Sequence, residues 1–412
     1  MVDGKIHVGI GFATGRTSFQ NVLRSYIFHL RESRFLESAG VALSLFVAFD
    51  PTYMNTARAD YENIESSVRQ VFHTIRIIGP DDMEASKRAL GDSGVIDGRE
   101  MPHCFGNGYA AQRNIVVFEA MRSHVDYLIF LDDDEYPMAV TKSGDGALWS
   151  GQHVIESHTK YLQFADITNG YHCGYISPMP SIEFDAIVDE PTFKNFVESM
   201  SSDVLSWDSV LQVIQNGGVT YADKEVLIRK SPLLVEEENN AKFITGGNLG
   251  LNLTNTAKVL PFYNPPGARG EDSFLSTCLH RHTVKRIPTY TFHDGFSMYG
   301  TLLNGVLPTD LHNVSFYDSG AVIQRFYRAC IGWVRYKPLY TYITRQADYQ
   351  AIMEDTMARL QRAIPRVCAY FNNYDFENVL LELKKYHGQV EQHAQDFEQA
   401  KRIWEKLKGA LS

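Results

Sequence analysis

Four consecutive acids, Asp132-Asp133-Asp134-Glu135, follow directly on the apolar run Tyr127-Leu-Ile-Phe-Leu131. A buried strand that runs straight into carboxylates places them at its carboxyl end, where open α/β sheets bind their ligands. Side chains alternate along a strand, so Asp132 and Asp134 are expected on one side and Asp133 on the other. Two converging carboxylates repel each other and need a counter-charge. A hard divalent cation supplies it and keeps positions open for phosphate oxygens. The competing reading is a solvated acidic turn without a ligand.

Such a turn needs a scaffold, and the first third of the chain has the pattern of one. Short apolar, β-branched runs at residues 6–12, 41–49, 74–78 and 127–131 read as strands. Between them, at 18–32, 56–71, 83–90 and 108–123, apolar residues recur every three to four positions, as in helices. Alternation of this kind predicts an α/β fold with a mainly parallel sheet flanked by helices. The middle third is punctuated by Gly and Pro, with strand-like pieces at 174–177, 224–230, 242–253 and 284–292. From Tyr299 onward the pattern turns helical. In the last segment Val390, Phe397, Trp404 and Leu411 lie seven apart, with Ala400 and Leu407 at the complementary positions. This stripe predicts either a helix packed on its own domain or a seam that makes a homo-oligomer.

With 44% hydrophobic and 21% charged residues the 412-residue chain has the composition of a folded protein, which excludes disordered and collagen-like classes. A net charge of −10 disfavours a nucleic-acid partner. Five cysteines without a CxxC spacing fit a reducing compartment. No secretory apolar core follows the first residues and no run is long enough to span a membrane. The expectation is a cytoplasmic protein, with peripheral contact at the inner face of a membrane left open.

The helix leading into the acidic strand opens with Gly108-Tyr-Ala-Ala-Gln-Arg113-Asn114. A Gly-x-x-x-x-Arg-Asn helix followed by a hydrophobic strand ending in Asp-x-Asp resembles the nucleotide-sugar glycosyltransferases of the GT-A fold, of the broad family-two type. The resemblance implies a Rossmann-like GT-A domain over residues 1–300, with a nucleotide-binding half at 1–135 and an acceptor and metal half at 136–300. A helical carboxyl-terminal region, 301–412, follows. It implies that Asp132 and Asp134 hold Mn2+ or Mg2+ against the donor diphosphate, with Arg113, Asn114 and Asp133 beside the donor. Phe12-Ala-Thr-Gly-Arg16 resembles the family's nucleotide-binding turn without its proline and asparagine, which assigns Thr14 and Arg16 to the donor. Asp50, ending the second strand, matches an acid that accepts a uracil or guanine N–H. Its alternative is to cap a turn before Pro51.

Further on, Gly246-Gly247-Asn248 and then Arg269-Gly-Glu271-Asp272 resemble the family's donor-sugar loop and its Glu-Asp motif. The resemblance makes Asp272 the general base, with inversion at the anomeric carbon, and Glu271 its neighbour in acceptor binding. Plain helix capping by two acids is the alternative. His293 matches a further metal ligand of some GT-A enzymes, and an imidazole suits manganese better than magnesium. It could equally be a satisfied loop residue. His280 and His282 read as structural residues on a helix. The stretch Arg325-Phe-Tyr-Arg328 to Tyr342 interleaves cations with aromatics. It would either grip an acceptor sugar, phosphate or lipid headgroup, or form an amphipathic helix with its aromatics in the core.

The expected function is metal-dependent transfer of a hexose from a UDP- or GDP-sugar to a hydroxyl of a glycan, lipid-linked or small-molecule acceptor. Two rivals remain. Gly9-Ile-Gly11-Phe-Ala-Thr-Gly15 is near the fingerprint of an NAD(P)-dependent Rossmann oxidoreductase, although its last interval is one residue too long and the acidic run would be idle. A non-catalytic module that binds a sugar nucleotide on the same scaffold is the other.

Overall fold

A computed structural model describes residues 4–38, 40–200, 206–300, 302, 305–315 and 320–411. Strands β1 (Ile6–Thr14), β2 (Val41–Phe49), β3 (Phe72–Ile78) and β4 (Tyr127–Phe130) pair in parallel in the order β3-β2-β1-β4. β2 reads Val-Ala-Leu-Ser-Leu-Phe-Val-Ala-Phe, apolar at nearly every position, because both its faces are covered. Alternation sorts the two faces. Phe46, Leu128 and Phe130 point into one core with the helix Tyr109–Arg122. Leu45, Val47, Ile129 and Leu131 point into the other with the helix Phe19–Glu32. Gly9 and Gly11 lie inside β1, paired with Leu128 and Phe130, so they cannot form the phosphate loop of a dinucleotide site.

The expectation of a mainly parallel sheet holds only for this half. β5 (Glu135–Tyr136), β8 (Ile167–Gly174), β10 (Leu249–Asn252) and β11 (Val284–His293) extend the sheet in the order β4-β10-β8-β11-β5. β10 enters reversed, antiparallel to both β4 and β8, whereas β8 and β11 are parallel. β9 (Leu233–Leu234) adds to β11, and β6 (Met138–Ser143) and β7 (Gly146–Gly151) form a separate hairpin. The sheet is therefore mixed, in an α/β protein with a helical carboxyl-terminal region.

That region consists of the helices Gly320–Thr344, Tyr349–Phe371, Glu377–His387 and Val390–Leu411. The expected helix from Tyr299 becomes continuous, among the described residues, only at Gly320. Val390, Phe397, Ala400, Trp404 and Leu407 are all buried in the same core as Phe130. The indole N–H of Trp404 donates to the Val259 carbonyl at 3.0 Å. The heptad stripe is thus packed largely within its own chain. No described helix is long and apolar enough to cross a membrane.

Four local readings differ as well. Residues 56–71 form two short helices, Arg58–Glu62 and Ser66–Arg69, because Asn63 leaves helical geometry at ψ 55°. Residues 224–230 hold the helix Lys224–Ile228, whose first turn is capped by Asp223 accepting from the Glu225 N–H at 2.8 Å. The strand expected at 174–177 lies earlier and ends at Gly174, φ +87°. Of 242–253, only Leu249–Asn252 is strand.

Candidate active site

β1 and β4 are parallel neighbours, so their carboxyl ends emerge side by side and the turn Thr14-Gly15-Arg16 faces the acidic run. The Thr14 hydroxyl donates to Asp133 Oδ2 at 2.5 Å. Arg16 Nη1 donates to Asp133 Oδ1 at 3.2 Å and to Asp134 Oδ2 at 2.6 Å. Strand β4 stops at Phe130, so alternation does not carry into the acids. The expected pairing of Asp132 with Asp134 is replaced by one of Asp133 with Asp134, on a shared guanidinium.

Asp132 turns to Arg113 instead. That arginine lies one turn inside the helix Tyr109–Arg122, which starts where Gly108 takes φ +96°. Its side chain is 5% exposed and donates to Asp132 Oδ1 (3.1 Å), Glu271 Oε1 (3.2 Å) and the Gly246 carbonyl (2.9 Å). Phe130 and Phe262 flank the guanidinium with ring centres at 4.9 and 5.6 Å. Arg113 therefore ties the acidic turn to both later motifs.

From the far side, His293 ends β11. Its Nδ1 donates to the Tyr175 carbonyl at 2.8 Å, which leaves Nε2 facing Asp134 Oδ1 at 3.3 Å. The same arrangement orients a histidine that ligates a metal through Nε2. Among the described residues no group of three or more His, Cys, Asp or Glu is arranged to hold a metal. What the chain does offer is a carboxylate and an imidazole side by side, a donor pair suited to a first-row divalent cation whose other positions are filled by phosphate and water oxygens. Asp132, on Arg113, stands apart from that pair.

Arg16, Arg113, Asp132, Asp133, Asp134, Glu271 and His293 line one cleft of about 200 Å³. Tyr53, Tyr109 and Arg269 complete it, three residues that the sequence reading missed. Tyr109 was findable, being four residues before Arg113 on one helix face. Arg269 stands two residues before Glu271 in the motif already singled out, whereas Tyr53 lies in a loop whose local sequence carries no such signal.

Negative charge dominates the electrostatics. Burial, with Glu135 adding to it, pushes Asp132 up to about 7. Burial and Asp134 push Asp133 up to about 6. For Asp134 burial acts upward too, but His293 and Arg16 outweigh it and hold the carboxyl below its usual range. Burial also raises Asp272, with Glu271 adding, to about 6. Glu135, fully enclosed behind Asp132, accepts from the Thr291 hydroxyl at 2.9 Å and faces His172 Nδ1 at 3.0 Å. Gly247 closes over this pair. A Cβ there would lie 2.7 Å from Asp132 Oδ2 and 2.8 Å from Glu135 Oε1.

The other expected residues stand back from the cleft. Asp50 caps its own turn, accepting from the Thr52 N–H at 2.9 Å and hydroxyl at 2.6 Å. Asn114 is buried and clamps backbone, donating to the Cys104 and Phe262 carbonyls and accepting from the Phe262 N–H. Asn248, at φ +48°, is also buried. It faces His158 Nε2 at 2.8 Å and donates to the Tyr171 carbonyl at 3.0 Å. Gly246 and Gly247 contribute through their backbone. Asp272 accepts from the Gly246 N–H at 2.9 Å and the Ser273 N–H at 2.8 Å, so that Glu271 rather than Asp272 forms the cleft wall. His280 and His282 lie in the turn after the helix Glu271–Ser276, not on a helix. His280 pairs with Glu237, and His282 Nε2 donates to the Lys258 carbonyl at 2.8 Å. Arg325 lies with its guanidinium 4.0 Å from the Phe296 ring centre and donates to the Tyr175 carbonyl, one residue removed from the cleft. Arg328 is exposed, whereas Phe326, Tyr336 and Tyr340 are core.

No protein-family model matches the chain, and no curated protein matches it. Among solved structures, the apo form of mouse xyloside xylosyltransferase 1 is similar at 15% identity, over 47% of this chain and 58% of that one, with a TM-score of 0.20. This chain thus spans less than two thirds of that protein's solved length, and a TM-score at that level establishes no common fold.

Proposed function

We propose that the chain is a glycosyltransferase on a GT-A-type domain, transferring a hexose from a UDP- or GDP-sugar to a hydroxyl acceptor. The observation that carries this reading is the convergence of three arginines, four carboxylates and a histidine in one small polar cleft at the carboxyl ends of β1 and β4. Planar guanidinium groups suit the oxygens of a diphosphate, and Tyr53 and Tyr109 provide faces for a base or sugar ring.

In this reading Arg16 takes the phosphate nearer the Thr14 turn. Arg113 stays on its carboxylates and fixes the floor of the site. Asp134 and His293 would hold a divalent cation, with Asp132 left on Arg113. When bound, that cation would neutralise charge on the leaving diphosphate. Asp272, which stands behind Glu271 on the Gly246 N–H, would turn into the cleft to take the acceptor proton as the acceptor oxygen bonds to the anomeric carbon and the sugar–phosphate bond breaks, its electron pair leaving with the nucleoside diphosphate. Its raised pKa, about 6, matches a base working near neutrality. Direct in-line attack would give inversion. Glu271, on the cleft wall, orients the acceptor hydroxyl.

The test is a thermal-shift panel of UDP-, GDP-, CMP- and dTDP-sugars and NAD, each with manganese and with chelator. Stabilisation by one sugar nucleotide that chelator removes is the expected result. Stabilisation by NAD alone, or none that depends on metal, would overturn it. Binding without turnover would point to a sugar-nucleotide-binding module on the same scaffold.

A further inference from the structure

Arg16 and Arg113 meet the same acidic run in different ways. Arg113 is locked by three hydrogen bonds and two aromatic rings. Arg16 is 32% exposed, and among the described residues its guanidinium reaches, beyond Asp133 and Asp134, only Tyr53, whose hydroxyl lies 3.5 Å from Nη2 and whose ring is itself exposed. One guanidinium is enclosed, and the other stands partly exposed in the cleft. Arg16 also occupies a decisive place. Asp134 gives Oδ2 to Arg16 at 2.6 Å and Oδ1 to His293 at 3.3 Å. A divalent cation seated on Asp134 and His293 would share its carboxylate with a guanidinium and be repelled by it.

We infer that Arg16 is the resident counter-cation of the acidic turn, which a divalent cation must displace from Asp134 and which a diphosphate draws away. The inference rests on the reading of Asp134 and His293 as the metal pair, and goes beyond it by making metal affinity conditional on the donor. Without an anion, Arg16 neutralises Asp133 and Asp134 and metal binds weakly. A diphosphate offers Arg16 a two-pronged acceptor of higher charge than one carboxylate. Asp134 is then released to the metal just as the phosphate oxygens that complete its shell arrive. The device would keep the acidic turn neutralised while the cleft is empty.

Manganese alone and the preformed manganese–pyrophosphate complex are titrated calorimetrically into the full chain, Arg16→Gln, Arg16→Lys, Arg269→Gln and the double variant Arg16→Gln/Asp134→Asn, with each fold checked by its melting curve. Arg16→Gln should bind manganese alone tighter than the native chain by about tenfold or more, the worth of a charge-assisted contact. Arg16→Lys, which keeps the charge but not the fork, should fall between. The native chain should prefer the pyrophosphate complex to the bare ion by a wider margin than Arg16→Gln does. Arg269→Gln, which removes a cation of the same cleft without touching Asp134, should leave manganese affinity near native. Equal manganese affinity in the native chain and Arg16→Gln, still lost in the double variant, would overturn the displacement while leaving the metal pair intact. An equal gain in Arg269→Gln would reduce the effect to the general field of the cleft and overturn it too. Absence of manganese binding in every chain, with and without pyrophosphate, would overturn the metal reading itself.

Discussion

Replacing Arg113 by Met tests whether the site is held together by charge. The side chain is 5% exposed and pairs with Glu271, 12% exposed, and with Asp132, 36% exposed. Breaking a buried ion pair by removing one partner costs about 3–5 kcal/mol, because the other charge stays buried. The Asp132 share is screened by solvent and must be discounted. The Gly246 carbonyl loses a charge-assisted bond, and Met retains most of the packing between Phe130 and Phe262. A net loss of about 3 kcal/mol near pH 8 is expected, or roughly 3–4 °C in melting temperature for a chain of this size. The pH dependence separates charge from packing. Asp132 and Asp272 are already raised, to about 7 and about 6, and loss of the cation raises both further. A carboxyl with a raised folded-state pKa contributes stability that is present at low pH and lost as pH rises through that value. The gap between native and variant should therefore be smallest near pH 5 and widen toward pH 8, and Glu271→Gln added to the variant should narrow it at pH 8. Melting curves of the three chains across that range are the assay. A gap of constant size would refute the argument and leave Arg113 as a packing residue between two rings.

Three more outcomes follow from the same geometry. Burial pulls His158 down to about 4; a depressed imidazole gives stability that is present above its ordinary 6.5 and lost as pH falls toward 4, about 3 kcal/mol in all, so the melting-temperature difference between native and His158→Gln should shrink over that interval. Gly247→Ala would drive a Cβ into Asp132 and Glu135 and should destabilise by about 1–3 kcal/mol, whereas Gly98→Ala, with open space around it, should not shift the melting curve. Once a donor and acceptor are in hand, Asp272→Asn should lower turnover about 10²- to 10⁴-fold and Glu271→Gln should act chiefly on the acceptor Michaelis constant; the reverse pattern would move the base to Glu271.

Strands β1, β2 and β4 were legible because each is a continuous apolar run whose burial on both faces leaves no other use for it. β8 and β10 were not. β8 carries Asn169 and His172 inward because those groups are satisfied by Thr245, some seventy-five residues away, and by Glu135, pairings that no local window contains. The same limit governed the helix Lys224–Ile228, whose β-branched look was overridden by an Asp223 cap. Asp50, Asn114 and Asn248 have side chains suited to ligand recognition, yet each is drawn to backbone groups, which need partners wherever they are buried. Residue type and order along the chain therefore brought Arg16, Arg113, Asp132–Asp134, Glu271 and His293 into one cleft, while the division between residues that face it and residues that brace it had to come from three dimensions.

The acidic run shows why. Strand alternation would have aimed Asp132 and Asp134 together, but alternation requires a strand, and β4 ends at Phe130. Beyond it the chain turns, and each carboxylate goes to the nearest available cation or donor: Asp132 to Arg113, Asp133 to Thr14 and Arg16, Asp134 to Arg16 and His293, Glu135 to His172 and Thr291. Those partners come from a helix, a second strand end and two later strands, so no spacing within 132–135 encodes the split. The consequence is chemical. Four adjacent acids, which a linear reading would give one shared role, take separate ones. One is fixed to the floor, two are held by a guanidinium that can be displaced, and one is spent on bracing Gly247 from behind.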